Sequence, residues 1–162
     1  MNDRSDLVDV GFTVNGEAVD LRIPCDETLL TVLRERLDLT GPKRGCNQGV
    51  CGACSVLLDG ASVRSCLALA ANCDGCSVVT VEGLTLPGVL SRVQRAMIEA
   101  GAVQCGFCTS GFVVALSALL QGNPHPGDAE IREALAGNIC RCTGYMKILE
   151  AARRAARESA HE

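Results

Sequence analysis

Eleven cysteines stand among 162 residues, and eight of them fall into two spaced groups. Cys46, Cys51 and Cys54 have the spacing C-x4-C-x2-C, and Cys66 follows after eleven residues. Cys105 and Cys108 form C-x2-C, and 31 residues later Cys140 and Cys142 form C-x-C. Thiolates clustered in this way bind soft metal ions. A [2Fe–2S] cluster needs two thiolates on each of two irons, and three cysteines in one loop with a distant fourth meet that need for the first group. Zinc instead favours repeated C-x2-C pairs around one tetrahedral ion, and the first group contains a single such pair, Cys51 and Cys54. The second group, read alone, suits zinc as well as a second cluster. A Rieske-type centre would need two histidine ligands. The two histidines, His125 and His161, lie far beyond the first group and read as exposed polar residues.

The residues around the cysteines fit iron–sulfur chemistry. Gly45, Gly49 and Gly52 surround the first group and admit backbone conformations closed to other residues. Such turns would point amide N–H groups at the sulfurs and favour the reduced, more negative cluster. Cys108 and Cys142 each precede a stretch that reads as a helix, where free N–H groups are expected to lower a thiol's pKa. Cys25, Cys73 and Cys76 remain. Cys73 and Cys76 imitate a metal pair but have no second pair to complete a site, so all three read as small buried or idle thiols.

Charge and composition narrow the function. The net charge of −4 gives no basic footprint for nucleic acid. The longest nearly apolar run, Phe112–Leu120, is far short of the ~20 residues that a membrane span needs. The opening residues MNDRSDLVDV mix both charges and show no apolar secretion core, which points to the cytoplasm, where disulfides are rare and clustered cysteines bind metal. Aromatic side chains are few, three Phe and one Tyr, so bound metal should add to a limited core. No nucleophile–base pair stands out, so no catalytic residue is expected in this chain.

The elements that must position these thiols are legible in the hydrophobic pattern. Leu7–Val14 and Glu17–Ile23 read as strands around an Asn15-Gly16 turn, and Ser55–Leu58 and Ala61–Ser65 as a second hairpin around Asp59-Gly60. Thr28–Leu37 has helical leucine spacing, and Ser77–Val81 reads as a further strand. Beyond Gly83–Pro87 the pattern predicts helices at Val89–Ala100, Phe112–Leu120, Asp128–Leu135 and Lys147–Arg157. The expected fold is α+β: a sheet domain over residues 1–84 and a helical domain over 85–162.

Three stretches taken together resemble the small iron–sulfur subunit of the molybdenum hydroxylases, the family of xanthine dehydrogenase, aldehyde oxidoreductase and carbon monoxide dehydrogenase. They are Gly45-Cys46-Asn47-Gln48-Gly49-Val50-Cys51-Gly52-Ala53-Cys54, Gln104-Cys105-Gly106-Phe107-Cys108-Thr109 and Gly137-Asn138-Ile139-Cys140-Arg141-Cys142-Thr143-Gly144-Tyr145. The resemblance implies a β-grasp, plant-type ferredoxin domain followed by a four-helix [2Fe–2S] domain. It implies one cluster on Cys46, Cys51, Cys54 and Cys66 and another on Cys105, Cys108, Cys140 and Cys142. It further implies a large partner subunit whose molybdopterin, in the cytosine dinucleotide form, hydroxylates substrate with oxygen from water. Electrons would then enter the second cluster, pass to the first and reach FAD on a medium subunit, or another acceptor such as a cytochrome, in a dimer of heterotrimers. On the same analogy Gln104 touches the pterin and Cys142 lies nearest to it. Two other readings compete: a zinc-stapled interaction module, and a stand-alone ferredoxin-like carrier. The carrier would need the first cysteine group alone.

Overall fold

The computed structural model describes residues 6–86 and 88–158. Two hairpins supply four of five strands. β1 (Leu7–Val14) and β2 (Glu17–Pro24) pair antiparallel, from Leu7 opposite Pro24 to Val14 opposite Glu17. Asn15 and Gly16 join them with φ of 53° and 86°, the left-handed pair that a two-residue hairpin turn requires. β3 (Ser55–Leu58) and β4 (Ala61–Arg64) repeat the device around Asp59 and Gly60. β5 (Ser77–Val79) lies between the hairpins, parallel to β1 and antiparallel to β3, in the order β2-β1-β5-β3-β4. It ends earlier than its β-branched run predicts. Asn15 Oδ1 accepts from the Thr80 amide at 2.9 Å, and residues Val81–Gly83 turn into a 3-10 helix.

One face of this sheet carries Val10, Phe12, Val14, Val56 and Val78, all buried against Leu29, Val32 and Leu33. Leu29 lies on α1 (Leu29–Thr31), which is capped by Thr28 Oγ1 and continues as a π-turn over Val32–Arg36 that carries the other two. The sequence predicts an ordinary helix here. The Arg34 guanidinium donates to the carbonyls of Thr40 and Pro42 and draws the chain after the helix back across it, and the last turn closes wide, from the Leu37 amide to the Val32 carbonyl.

The second half contains four helices: α2 (Arg92–Glu99), α3 (Thr109–Gly122), α4 (Asp128–Leu135) and α5 (Met146–Glu158). α3 is nearly all apolar and runs through their centre, with Phe112, Val113 and Leu116 buried. Ala96 of α2 and Ala100 at its end pack with Ala152 and Ala155 of α5 in that core. Arg153 and Arg132 both bond Asp128, tying α5 to α4 and holding that carboxyl at about 2.

The sheet half and the helical half meet where backbone lies on backbone. A Cβ at Gly111 of α3 would stand 2.2 Å from the Gly52 carbonyl oxygen. Alanine normally stabilises a helix interior by about 1 kcal/mol relative to glycine. Here overpacking against a fixed carbonyl should outweigh that, so Gly111→Ala is expected to destabilise the chain by about 1–3 kcal/mol in denaturant unfolding. A rise in stability would show that the seam gives way easily.

Candidate metal centres

The first quartet is assembled by a loop and a hairpin. Asn47, Gly49 and Gly52 take φ of 55°, 75° and 72°. These left-handed residues fold the loop around Cys46, whose Sγ accepts from the amides of Gln48 and Cys51, each at 3.4 Å. Hydrogen bonds from the Cys51 and Gln48 amides draw the Cys46 thiol down to about 6. Gly45 differs from its neighbours, since it needs space and not an unusual φ: a Cβ there would lie 2.8 Å from Cys51 Sγ. Cys54 and Cys66 flank the β3–β4 hairpin, which brings them together beneath Leu30. Ser65 Oγ donates to the Cys54 carbonyl at 2.7 Å and fixes that end. Burial pushes the Cys54 thiol up.

The second quartet comes from two loops at one end of the helices. Cys108 is the N-cap residue of α3, and Cys105 precedes it across a turn through Gly106 at φ 80°. Cys140 and Cys142 lie just ahead of α5. The Cys140 amide donates to the Tyr145 hydroxyl at 3.0 Å, and Tyr145 packs edge-on to Phe112 with ring centroids 6.3 Å apart. Burial opposes ionisation of Cys140, but the hydroxyl and amide of Thr143 outweigh it and bring the thiol to about 7. The expectation that the helix start lowers Cys108 is not met. Burial, with Cys140 alongside, pushes that thiol up to about 12.

The thiols approach one another two by two. Cys46 lies beside Cys51, Cys54 beside Cys66 and Cys108 beside Cys140, and Cys142 Sγ meets Cys105 Sγ at 3.5 Å. Among the described residues no three His, Cys, Asp or Glu side chains converge on a single-ion site. Thiols set two by two suit the two irons of a [2Fe–2S] cluster, each of which takes two thiolates. In each quartet one pair is more buried than the other: Cys54 with Cys66 in the first, Cys108 with Cys140 in the second.

The quartets face each other across the seam. The Ile139 amide donates to the Cys51 carbonyl at 2.9 Å, one residue from Cys140. The ring of Phe107, between Cys105 and Cys108, lies beside Gly45. Spacing alone does not mark Phe107, Tyr145 and Thr143 as functional, although all lie inside the cysteine stretches. Gln104 and Arg141 are exposed at the outer edge of the second quartet. The other cysteines form no site: the Cys73 thiol points to the Leu69 carbonyl, Cys76 to that of Asp74, and Cys25 is exposed. His125 is exposed, and His161 lies outside the described residues.

Comparison with known proteins agrees with this geometry. Residues 12–75 match the family described as "2Fe-2S iron-sulfur cluster binding domain", and residues 80–153 match "[2Fe-2S] binding domain". The chain is 52% identical over 147 residues to the nicotine 6-hydroxylase small subunit of Paenarthrobacter nicotinovorans, covering 91% of this chain and 88% of that protein. It is 44% identical over 154 residues to the nicotinate dehydrogenase small FeS subunit of Eubacterium barkeri, covering 95% of this chain and 98% of that one. The chain belongs to the small iron–sulfur subunits of the molybdenum hydroxylases. A chain of quinoline 2-oxidoreductase from Pseudomonas putida 86 has the same fold as this small subunit, with a TM-score of 0.90 and 42% identity over 96% of this chain and 98% of that one. The small subunit thus has the α+β architecture of a β-grasp ferredoxin domain followed by a four-helix [2Fe–2S]-binding domain. It belongs to a family of oxidoreductase subunits. Among its described residues no helix is long and apolar enough to cross a membrane.

Proposed function

We propose that this chain relays electrons from the molybdopterin site of a large subunit, through two [2Fe–2S] clusters, to FAD on a medium subunit. The observation that carries the reading is the meeting of eight thiols in four pairs, two pairs in each half of the chain. Cys46, Cys51, Cys54 and Cys66 hold the first cluster, and Cys105, Cys108, Cys140 and Cys142 hold the second. A bound [2Fe–2S] cluster supplies reversible one-electron chemistry without substrate binding. The residues of this chain do the rest. Amides of Gln48, Cys51 and Thr143 donate to thiolate sulfur and favour the ionised ligands. Leu30 shields the Cys54–Cys66 pair from water.

The exposed Cys105–Cys142 pair supports entry of electrons at that edge, with Gln104 beside it to contact the pterin of the large subunit. The Cys51 carbonyl and Ile139 amide then offer a short bonded route to the first quartet. The two separate apolar cores support two domains, the ferredoxin-like one over 1–84 and the helical one over 85–162, with Val81 and Leu84 at the junction already packed against the helical core. The same reading assigns the pterin the cytosine dinucleotide form, the complex the arrangement of a dimer of heterotrimers, and the protein to the cytoplasm.

Metal analysis tests the reading. Anaerobically purified protein should be red-brown, with about four irons per chain. A colourless protein holding zinc would favour the stapled interaction module instead. Iron in a chain that purifies without larger subunits would favour the stand-alone carrier.

A further inference from the structure

We infer that Arg64 is a positioning residue that sets how the two cysteine quartets are aligned across the seam. The inference rests on the ligand assignment just made. Arg64 is the last residue of β4, two before Cys66. Its Nη1 donates to Ser55 Oγ at 2.7 Å, and its Nη2 donates to the Gly137 carbonyl at 2.6 Å. Ser55 directly follows Cys54, and its hydroxyl donates onward to the Gly52 carbonyl at 2.7 Å. One planar group, two residues before Cys66, therefore ties residues next to Cys51 and Cys54 to a residue three before Cys140.

The segment that Arg64 grips is the one that crosses the seam. Asn138 Nδ2 donates to the Gly52 carbonyl at 3.2 Å, and the Ile139 amide donates to the Cys51 carbonyl. Gly137 is shaped for the guanidinium, since a Cβ there would stand 2.3 Å from Arg64 Nη2. Beside these bonds lies a cleft of about 250 Å³ lined by Arg64, Ala115, Leu119 and Asn138. The cleft leaves Arg64 room to move, so its two directional bonds are what hold the guanidinium in place across the seam. An arginine fork can hold two acceptors at a fixed separation, whereas a lysine ammonium is a point charge on a flexible stem.

The consequence is for the single electron that passes between quartets. With both clusters bound, one would lose it and the other gain it, with no proton or co-reactant needed. The rate depends on separation and on the continuity of the bonded route, both of which the clamp fixes.

Two variants in the intact purified complex test this. R64K keeps the positive charge near Cys54 and loses the two-handed bridge. G137A keeps the arginine and blocks its access. In both, iron content and the two separate [2Fe–2S] electron paramagnetic resonance signals should be retained. The magnetic splitting between the two reduced clusters should become smaller and broader, and electron exchange between them should slow several-fold. Unchanged splitting and rate in R64K would overturn the inference, whatever G137A does. Loss of iron from R64K would overturn it too, by showing that the bridge retains a cluster and does not merely align two. Absence of two such signals from the unmodified complex would sink the ligand assignment itself, before any variant is made.

Discussion

Cys54→Ser should leave one of two [2Fe–2S] signals in the electron paramagnetic resonance spectrum and about two irons per chain. Cys54 is 2% exposed and packs with Cys66 and Leu30, so no water or nearby side chain can replace its sulfur without opening the core. A serine hydroxyl stays protonated near neutral pH and is a poor ligand for a soft metal. Removing the sulfur leaves Cys66 as the single thiolate for one iron, while the Cys46–Cys51 pair remains in a glycine-rich loop. An iron left with one of its two thiolates should not hold the cluster together. The helical half has its own core around Phe112, Met97 and Ile148, and none of those residues depends on Cys54. Its signal should therefore survive. Because metal binding and folding are linked, the sheet half should also unfold more easily, seen as a separate early transition in thermal unfolding. Two signals of normal intensity in the variant would remove Cys54 from the ligand set.

The two cysteine groups were legible in the sequence because their spacing is local. C-x4-C-x2-C places three sulfurs within nine residues, and the intervening glycines announce the turns. The hairpins were legible for a similar reason, since Asn15-Gly16 and Asp59-Gly60 are local solutions to a left-handed turn. Helix limits were less so. Val89–Ala100 was expected as a helix, but the chain enters α2 only at Arg92. Ser91 and Gln94 form a reciprocal cap there, and the S-x-x-Q signal was present to be read. The π-turn after α1 had no such signal, because apolar spacing over five residues does not distinguish an i+4 from an i+5 closure.

The seam between the halves was not legible at all. Arg64 meets Gly137 across 73 residues, and Asn138 meets Gly52 across 86. A residue that acts over such a span carries no periodicity or motif of its own. Gly111 looks in sequence like a weak point in an apolar helix, and only the approach of the Gly52 carbonyl explains it. The thiol pKa pattern was similarly hidden. A helix start alone argues for a low Cys108, but the side chain is half-buried beside Cys140, and that environment dominates. On the proposed assignment iron would displace this proton on binding, so loading of the second quartet should cost more at low pH.

On the proposed relay to a flavin, Cys108→Ser should separate the two ends of the electron path. Cys108 and Cys140 form the inner pair of the second quartet, and the Ile139 amide next to them reaches the first quartet. On the proposed assignment, losing Cys108 would remove a ligand of the second cluster, so that cluster should be lost while Cys54, Cys66 and their core are untouched. Changes to residues that only orient metal ligands typically cost roughly 10–100-fold in activity. Removal of a ligand itself should exceed that, with turnover reduced by more than about 100-fold. The stage of the block is more informative than its size. Substrate should still reduce the molybdenum centre of the large subunit, the first cluster should still accept electrons from an external reductant, and the flavin should no longer be reduced by substrate. Normal flavin reduction by substrate in this variant would place the second quartet off the route, and electrons would have to reach the first quartet past the seam by another path.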